Sequence, residues 1–344
     1  MNATKIVTLG EIMLRLKSPD NTRLFQTPSL EATFGGGEAN VATALSLLGL
    51  ETYFVTALPQ SPLGHAARNE VRKYGVNTDH ISWEGKRLGV YYLEAGAAQR
   101  ASKVVYDRAD SAIAEATVDQ FDWDAIFEGK DWFHITGITP ALSATGEELA
   151  LFAVKKAQAM GLTVSCDLNF RKKLWKYGKD APQVMCELVK HVDVIIANEE
   201  DCQKTLGITS SSDVTKGELS VDHYKDLANK VLSQYPNVKK IGITLRESLS
   251  ATHNRWSAVF ATNNSFYQSQ QYDITPIIDR VGGGDSFSAG LIYGLNMLDT
   301  DQEALNFAVA TSCLKHSISG DIALLSLDEV KLLLKGDGSG RVQR

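Results

Sequence analysis

The chain has 344 residues, 44% of them hydrophobic, which is enough for a large α/β domain with a smaller added part. Its 35 basic and 41 acidic side chains give a formal net charge of −6, so nucleic acid and anionic membranes are not expected as partners. Charged residues interrupt the first apolar run at Glu11 and Arg15, and no later stretch offers about 20 consecutive apolar residues, so we expect a cytoplasmic protein without a membrane span.

The first predicted element is a buried strand at residues 6–10 that ends at a glycine. Residues 13–30 mix short alternating stretches with turn residues and predict an excursion outside the main sheet. Three glycines at 35–37 then open a predicted helix that ends at Gly49. A glycine run before a helix also occurs in dinucleotide-binding turns, but the G-x-G-x-x-G spacing is absent, so that interpretation is the weaker one.

A strand is predicted at 52–58 and a helix at 63–74. Two extended segments rich in Tyr and Val follow at 87–94 and 102–107, around a loop at 95–100. Together with the earlier excursion they would form a small sheet of three or four strands. Such a sheet is too small to be stable alone and needs another surface to cover.

From Trp132 onward, predicted strands and helices alternate, which is typical of a parallel sheet covered on both faces. The helix that ends at Gly161 is expected to begin with a capping box at Thr145 and to bury Phe152. Strands are predicted at 132–138, 162–168, 193–197, 240–245, 256–262 and 266–271, and further helices at 181–191, 224–232, 286–297, 302–316 and 327–334.

Three consecutive glycines, Gly282, Gly283 and Gly284, precede Asp285 and an apolar helical run. Glycines let the backbone approach an anion closely, and the first turn of a helix leaves N–H groups that point toward that anion. The pattern therefore predicts a phosphate-binding corner. Asp285 stands where a carboxylate could take the proton from a hydroxyl group that attacks phosphorus. The alternative is that Asp285 only caps the helix, but capping does not require three glycines.

The corner at 282–285 resembles one signature of the ribokinase-like sugar kinases, the PfkB family, and the segment 35–40 resembles the other. The resemblance covers nearly the whole chain and implies a three-layer α/β/α core with a mostly parallel sheet, plus a small β-sheet lid. The lid would cover the sugar and provide the contact of a homo-oligomer. The core is expected at residues 1–12, 34–83 and 109–344, and the lid at 13–33 and 84–108.

Within this family, the segments 106–108, 167–171 and 174–175 resemble those of members that phosphorylate the sugar acid 2-keto-3-deoxygluconate. An arginine fork can hold a carboxylate in paired hydrogen bonds, so Arg108 and Arg171 favour an acidic substrate. Pairing of each arginine with a neighbouring acid is the alternative. The resemblance implies these substrate contacts: Gly35, Gly36, Asn40, Tyr91, Tyr106, Arg108, Asn169, Arg171 and Asp321.

The resemblance also implies ATP and Mg²⁺ as cofactors. Asn198 begins a segment where the family carries an N-x-x-E motif that organises magnesium and phosphates through water, so the metal contact is expected at Asp201 or Glu200. Acids that match the dipole at a helix N-terminus are the alternative. Residues 244–250 occupy the position of a glycine-containing nucleotide loop, yet they contain no glycine. The nucleotide would instead meet side chains, namely Asn198, Thr244, Arg246 and Ser248.

These expectations combine into one function: ATP-dependent phosphorylation of 2-keto-3-deoxygluconate at its 6-hydroxyl, with Asp285 as the general base and the amides of Gly282 to Gly284 as the anion hole. A kinase for 2-ketogluconate, or for a neutral ketose such as fructose, is an alternative that Arg108 and Arg171 would discriminate. An alternative of another class is a sugar-acid-binding regulator without turnover, which the unusual segment at 244–250 motivates.

Overall fold

A computed structural model describes residues 4–209 and 221–336, so the predicted core range 109–344 extends partly beyond the described residues. The strands, in chain order, are β1 Lys5–Leu9, β2 Met13–Lys17, β3 Glu31–Gly35, β4 Glu51–Val55, β5 Val90–Glu94, β6 Lys103–Asp107, β7 Trp132–Thr136, β8 Thr163–Asp167, β9 Val194–Ala197, β10 Lys240–Ser250, β11 His253–Thr262, β12 Phe266–Gln268 and β13 Tyr272–Ile274.

The helices are α1 Gly37–Leu47, α2 Pro62–Arg72, α3 Ala112–Glu115, α4 Trp123–Phe127, α5 Ala144–Ala159, α6 Ala181–Leu188, α7 Glu199–Leu206, α8 Val221–Gln234, α9 Gly283–Met297, α10 Asp301–Lys315 and α11 Leu327–Leu334. Short 3-10 turns lie at Val118–Gln120, Thr139–Ala141 and Val189–His191. Of these helices, none is both long and apolar enough to cross a lipid bilayer, a finding that covers the described residues.

The main sheet has the strand order β12-β11-β10-β9-β8-β7-β1-β4, with β13 also paired to β11. Strands β4, β1, β7, β8, β9 and β10 are parallel to their neighbours, and β11 to β13 add antiparallel pairs at one edge. Apolar residues are buried on both faces of this sheet, against α5, α6 and α8 on one side and α1, α9 and α10 on the other. This confirms the predicted layered core with a mostly parallel sheet.

A separate sheet with the order β3-β2-β5-β6 confirms the predicted small sheet. Its strand β2 has alternating exposure, with Met13 and Arg15 buried on the face toward the core. The loop between β5 and β6 contacts the turn between β10 and β11, where the Ala251 N–H donates to the Ala98 carbonyl at 2.7 Å. The small sheet therefore lies against the carboxyl-terminal half of the main domain.

Several local predictions were wrong. Helix α5 begins at Ala144 and is capped by Ser143, whose hydroxyl accepts a bond from the Gly146 N–H at 2.9 Å. Thr145 already lies inside the helix, so it cannot be the cap. Phe152 is 39% exposed, since it packs at the rim of the core beside Trp123. The edge strand predicted at 266–271 is present but shorter, as β12, and β13 follows just beyond the predicted range.

The segment predicted to replace a nucleotide loop, residues 244–250, is not a loop. It continues β10 to Ser250 and pairs antiparallel with β11, from Thr244 opposite Ala258 to Ser250 opposite His253. Without glycine the segment has no residue that favours a turn, so the strand extends beyond the sheet as a hairpin. Its alternate residues Thr244, Arg246 and Ser248 therefore share one face of the hairpin.

Candidate active site

The glycine corner lies at the amino end of α9. Gly282 is the N-cap residue with φ of 81°, and an added Cβ would come 1.8 Å from the Asp321 carbonyl oxygen, so glycine is required there. At Gly284 an added Cβ would meet nothing within 4 Å, so this residue faces open space. The Gly283 N–H already donates to the Arg280 carbonyl at 3.3 Å. The first turn of a helix leaves its leading amides unpaired, so this end of α9 can accept an anion.

Asp285 brings the two glycine motifs together. Its Oδ2 accepts a hydrogen bond from Asn40 Nδ2 at 2.6 Å, although the two residues are 245 positions apart in the chain. Asn40 is buried in α1, just after the glycines at 35–37, and Asp285 lies in the first turn of α9. Helices α1 and α9 pack side by side, so the first turn of each presents its polar residues at the same end of the sheet.

Burial raises the pKa of Asp285 from 3.8 to about 6. The bond from Asn40 opposes this rise, the negative charge of Asp321 adds to it, and the cations Arg171 and Lys315 also oppose it. A carboxylate with a pKa near 6 is largely ionised at neutral pH and is still basic enough to accept a proton in a transition state. At this pKa the carboxylate of Asp285 can accept a proton from an alcohol bound beside it.

Glu38 is a fully buried carboxyl group close to Asp285, and the sequence did not single it out. Its Oε1 accepts bonds from the Thr136 N–H at 2.9 Å, the Thr136 hydroxyl at 2.8 Å and the Thr139 hydroxyl at 3.2 Å. Burial raises its pKa to about 7. At Gly10 an added Cβ would come 2.0 Å from a Glu38 oxygen. Glu38 thus fixes the start of α1 against the ends of β1 and β7.

Asn169 and Arg171 follow β8 at the same end of the sheet. Asn169 has a left-handed backbone with φ of 41° and is 7% exposed, and its Oδ1 is buried without a hydrogen-bond partner. A buried polar atom without a partner is costly, so Asn169 is placed to meet a ligand donor. The Arg171 side chain is exposed and its charge acts on Asp285, Asp167 and Asp201.

Asp201 is engaged by backbone amides. It accepts bonds from the Phe170 N–H at 2.9 Å and the Asn198 N–H at 3.0 Å, while Asn198 caps α7 in return. Burial raises the pKa of Asp201 despite these bonds. Glu200 next to it is exposed. Across residues 4–209 and 221–336, no group of three or more His, Cys, Asp or Glu side chains is arranged to hold a metal ion.

Arg108 is paired with a protein carboxylate. Its Nε donates to Glu11 Oε2 at 2.7 Å, and its guanidinium lies 5.3 Å from the ring of Tyr106. The other oxygen of this acid, Glu11 Oε1, is buried without a partner. The structure therefore gives Arg108 the neighbouring acid that the alternative interpretation anticipated, at a buried position and not on the surface.

Tyr91 and Asp321 form part of a buried ionic cluster. The Tyr91 hydroxyl lies 2.6 Å from each carboxylate oxygen of Asp321, and Arg15 forms ion pairs with Asp321 and Asp279. Asp321 also touches the other glycine motif, because a Cβ at Gly35 would come 2.1 Å from Asp321 Oδ2. The sequence analysis identified Tyr91 and Asp321 but not Arg15, which links Asp321 to Asp279.

Gly36 is required for close packing, since an added Cβ would come 1.8 Å from the Glu11 carbonyl oxygen. Its N–H donates to Asn40 Oδ1 at 3.3 Å, so Asn40 is held on both sides, by Gly36 and by Asp285. The glycine turn before α1 therefore orients the amide that reaches Asp285.

On the other side of the glycine corner lies a group of cationic or polar side chains. Arg280 donates to the Ala251 carbonyl at 2.5 Å, and burial together with the charge of Arg246 lowers its pKa. His316 lies against Gly283, where an added Cβ would come 2.9 Å from its ring, and burial lowers its pKa to about 4. Arg246 itself is exposed on the β10 hairpin. This side of α9 is therefore suited to an anionic ligand, although Arg280 and His316 were not among the predicted residues.

Comparison with known proteins identifies the type of site. The chain matches the family described as pfkB family carbohydrate kinase over residues 3–327. A Haloferax volcanii protein named 2-dehydro-3-deoxygalactonokinase is 33% identical, over 98% of this chain and 98% of its own length. The crystal structure of 2-dehydro-3-deoxygluconokinase from Thermotoga maritima has a TM-score of 0.92 and 49% identity, and the match covers 97% of this chain and 99% of that one.

A fructokinase from Xylella fastidiosa, solved with bound ATP, has a TM-score of 0.77 at 22% identity, with 96% of this chain and 98% of that chain covered. At that identity the likeness concerns the fold alone.

Proposed function

The chain belongs to the pfkB family of carbohydrate kinases, which are phosphotransferases with an alcohol acceptor, and on that premise we propose that it transfers the γ-phosphoryl group of ATP to the 6-hydroxyl of 2-keto-3-deoxygluconate. The observation that supports this most directly is the 2.6 Å bond between Asn40 and Asp285. This bond orients the partly buried carboxylate of Asp285, whose pKa is raised, at the amino end of a helix whose first turn suits a phosphoryl group.

In this mechanism Asp285 accepts the proton of the 6-hydroxyl as the oxygen attacks phosphorus. Asn40 keeps the carboxylate oriented through its bond to Oδ2. The amides of Gly282 to Gly284 would form the anion hole for the charge that develops on the phosphoryl oxygens, and the Gly283 N–H would exchange its 3.3 Å bond to the Arg280 carbonyl for the ligand. Arg171, which is exposed and close enough to lower the pKa of Asp285, adds positive charge on the same side.

ATP would lie along the face beside the glycine corner, where the neutral ring of His316 packs against Gly283 and the positive charges of Arg246 and Arg280 act on that ring. Thr244 and Ser248 share the hairpin face with Arg246, and Asn198 lies at the end of the neighbouring strand β9. Mg²⁺ would neutralise part of the negative charge of the phosphates. Since both oxygens of Asp201 accept amide bonds, the exposed carboxylate of Glu200 is the group free to hold the hydrated ion.

The sugar acid would lie between the small sheet and the start of α1. Asn169 Oδ1 is a buried acceptor without a protein donor, which suits a sugar hydroxyl. Gly35, Gly36 and Tyr106 would line the same space, with Tyr91 and Asp321 behind them. We assign Arg108 to the substrate carboxylate, because its buried guanidinium has further N–H groups beyond those held by Glu11. The small sheet would act as a lid that excludes water, and its role in a homo-oligomer stays a prediction.

The test is a substrate panel in one ATP-consumption assay: 2-keto-3-deoxygluconate, its C4 epimer 2-keto-3-deoxygalactonate, 2-ketogluconate and fructose. We expect the highest kcat/KM with 2-keto-3-deoxygluconate, and a value lower by at least about 100-fold with fructose, because fructose leaves the arginine without its carboxylate. Equal or better use of fructose would refute the sugar-acid assignment. Sugar-acid binding without ATP consumption would favour a regulator.

Arg108→Met sharpens this test. We expect it to raise the KM for the sugar acid by about 10- to 100-fold, which corresponds to the loss of a charge-assisted hydrogen bond, and to leave the weak use of fructose unchanged. Arg87→Met is the matched control, because Arg87 pairs with Asp107 on the surface of the small sheet. A similar loss with both sugars would show that Arg108 acts only through folding.

A further inference from the structure

A fully buried arginine of the small sheet, Arg15, reaches into the main domain. Arg15 lies on β2 and is 1% exposed. Its two terminal nitrogens reach different carboxylates: Nη2 donates to Asp279 Oδ2 and Nη1 donates to Asp321 Oδ1. Burial by itself lowers the pKa of Arg15. The negative charges of Asp321 and Asp279 raise this pKa by more than burial lowers it, so the side chain stays charged. One guanidinium therefore ties two separate loops of the main domain to the small sheet.

Both loops hold the glycine corner. Asp279 Oδ1 accepts a bond from the Val281 N–H at 3.1 Å, immediately before Gly282. The carbonyl oxygen of Asp321 lies directly against Gly282, where a Cβ would come within 1.8 Å. Arg15 therefore pairs with Asp279, which lies just before Gly282 in the chain, and with Asp321, whose carbonyl oxygen packs against Gly282 from the opposite side.

The cluster is balanced in charge. Lys315 is completely buried, and its ammonium donates to the Asp279 carbonyl at 3.2 Å and to the Ile318 carbonyl at 3.2 Å. Two cations, Arg15 and Lys315, therefore face two anions, Asp279 and Asp321. A buried cluster of this kind is a poor source of stability, because apolar side chains of similar size would serve as well or better. The charges are better explained by the geometry that they fix.

We propose that Arg15 is a positioning residue for phosphoryl transfer, which sets the backbone of residues 279–282 and makes the anion hole depend on docking of the small sheet. This inference rests on the proposed kinase function. Arg15 does not touch the reacting atoms. It acts through Asp279 and Asp321, and when the small sheet moves away from the main domain, the two carboxylates that brace the anion-hole turn lose their shared counter-charge together.

The decisive variants are Arg15→Met and Arg15→Lys, with Arg100→Met as the matched control. Arg100 is another arginine of the small sheet, but its partners, Glu94 and the Asn21 carbonyl, both lie on the predicted lid. Lysine keeps the charge and cannot bridge two carboxylates with a planar fork. We expect both Arg15 variants to lower kcat by about 100-fold, as a misplaced anion hole would, and to change the sugar-acid KM by less than about threefold.

Hydrogen exchange of the intact protein gives a readout that does not depend on the substrate. The Arg15→Lys variant should exchange faster in the peptide that covers 279–286, where the Val281 and Ser286 amides are now bonded, and at the wild-type rate in α5. If the wild type phosphorylates no sugar acid, the proposed function fails, and the exchange result alone decides the role of Arg15.

Three results would overturn the inference. The first is a kcat for Arg15→Lys within about twofold of that of Arg100→Met. The second is a uniform rise of exchange in every peptide, which would mean general loss of stability. The third is an unchanged rate of exchange in 279–286. Where Arg15→Met does not fold, Arg15→Lys carries the test by itself.

Discussion

The buried charges behind the glycine corner and the partly buried Asp285 in front of it differ in how completely the protein satisfies them. Behind the corner, Arg15, Asp279, Asp321 and Lys315 pair with one another or with backbone carbonyls. In front of it, Asp285 has one amide donor, Asn40, and a raised pKa. Satisfied charges fix a geometry, whereas an acid held with too few partners keeps the capacity to take a proton. Arg15, Asp279, Asp321 and Lys315 therefore suit a structural role, and Asp285 suits a role in proton transfer.

The largest expected effect is on turnover, and it distinguishes Asp285 from the buried cluster behind the corner. Asp285→Asn removes the base and keeps the shape of the side chain, so we expect kcat to fall by about 10³-fold, within the range for loss of a general base, with little change in sugar binding. Rates from the ATP-consumption assay and sugar binding by calorimetry measure the two quantities. Asp328→Asn, at an exposed position in the first turn of α11, is the control. Near-normal turnover would remove Asp285 from the mechanism.

The next largest effect is on the free energy of unfolding, and it concerns the buried cluster behind the corner. Asp279→Asn leaves Arg15 without one of its two carboxylates inside the protein, and we expect the free energy of unfolding to fall by about 3–5 kcal/mol, as on breaking a buried ion pair. Asp107→Asn, which breaks the surface pair with Arg87, should cost at most about 1 kcal/mol. Denaturant unfolding of both variants compares them. Equal losses would mean that the cluster behind the corner is an ordinary surface network.

The smallest effects are those of pH, and they concern Asp285 alone. Because the pKa of Asp285 is about 6, kcat/KM should fall about tenfold for each pH unit below about pH 6 and stay flat above it. A flat profile down to pH 5 would show that this carboxyl group does not titrate where its surroundings place it.

The same pKa has a consequence for folding. Because the pKa of Asp285 is higher in the folded chain than its ordinary value of 3.8, the folded chain binds more protons between about pH 4 and pH 6, and the free energy of unfolding falls as pH rises through that window. Asp285→Asn has no proton to lose. It should therefore be more stable than the wild type by roughly 1–3 kcal/mol at pH 8, and the difference should vanish near pH 4. Thermal melting at the two pH values measures it.

Most of the fold could be predicted from the sequence because its strands and helices have strong periodic patterns. The alternation after Trp132 indicated the parallel sheet, and the two glycine runs indicated helix starts that face ligands. The errors lie where two local signals compete. Ser143 and Thr145 can both cap a helix, and only packing decides between them. Residues 244–250 continue a strand because β11 supplies a partner, which no local signal reveals.

The buried cluster could not be predicted because its contacts span great lengths of chain. Arg15 is 306 positions from Asp321, and in the sequence it is one charged residue in a short alternating strand. One signal was available: Met13 and Arg15 alternate on the same face of β2, so a strand with a buried methionine should also bury the arginine. Glu38 was overlooked because an acid in the first turn of a helix is usually explained by the dipole.

The ion pairs of Arg15 also have a bearing on biosynthesis. Chains leave the ribosome from the amino end, so β2 emerges long before the segments that carry Asp279 and Asp321 are translated. During that interval the arginine has neither of its counter-charges and cannot be buried without a large desolvation penalty. Strand β2 therefore completes its docking only after the chain has been made through Asp321, and a nascent chain that stops before Asp321 cannot brace the glycine corner from both sides.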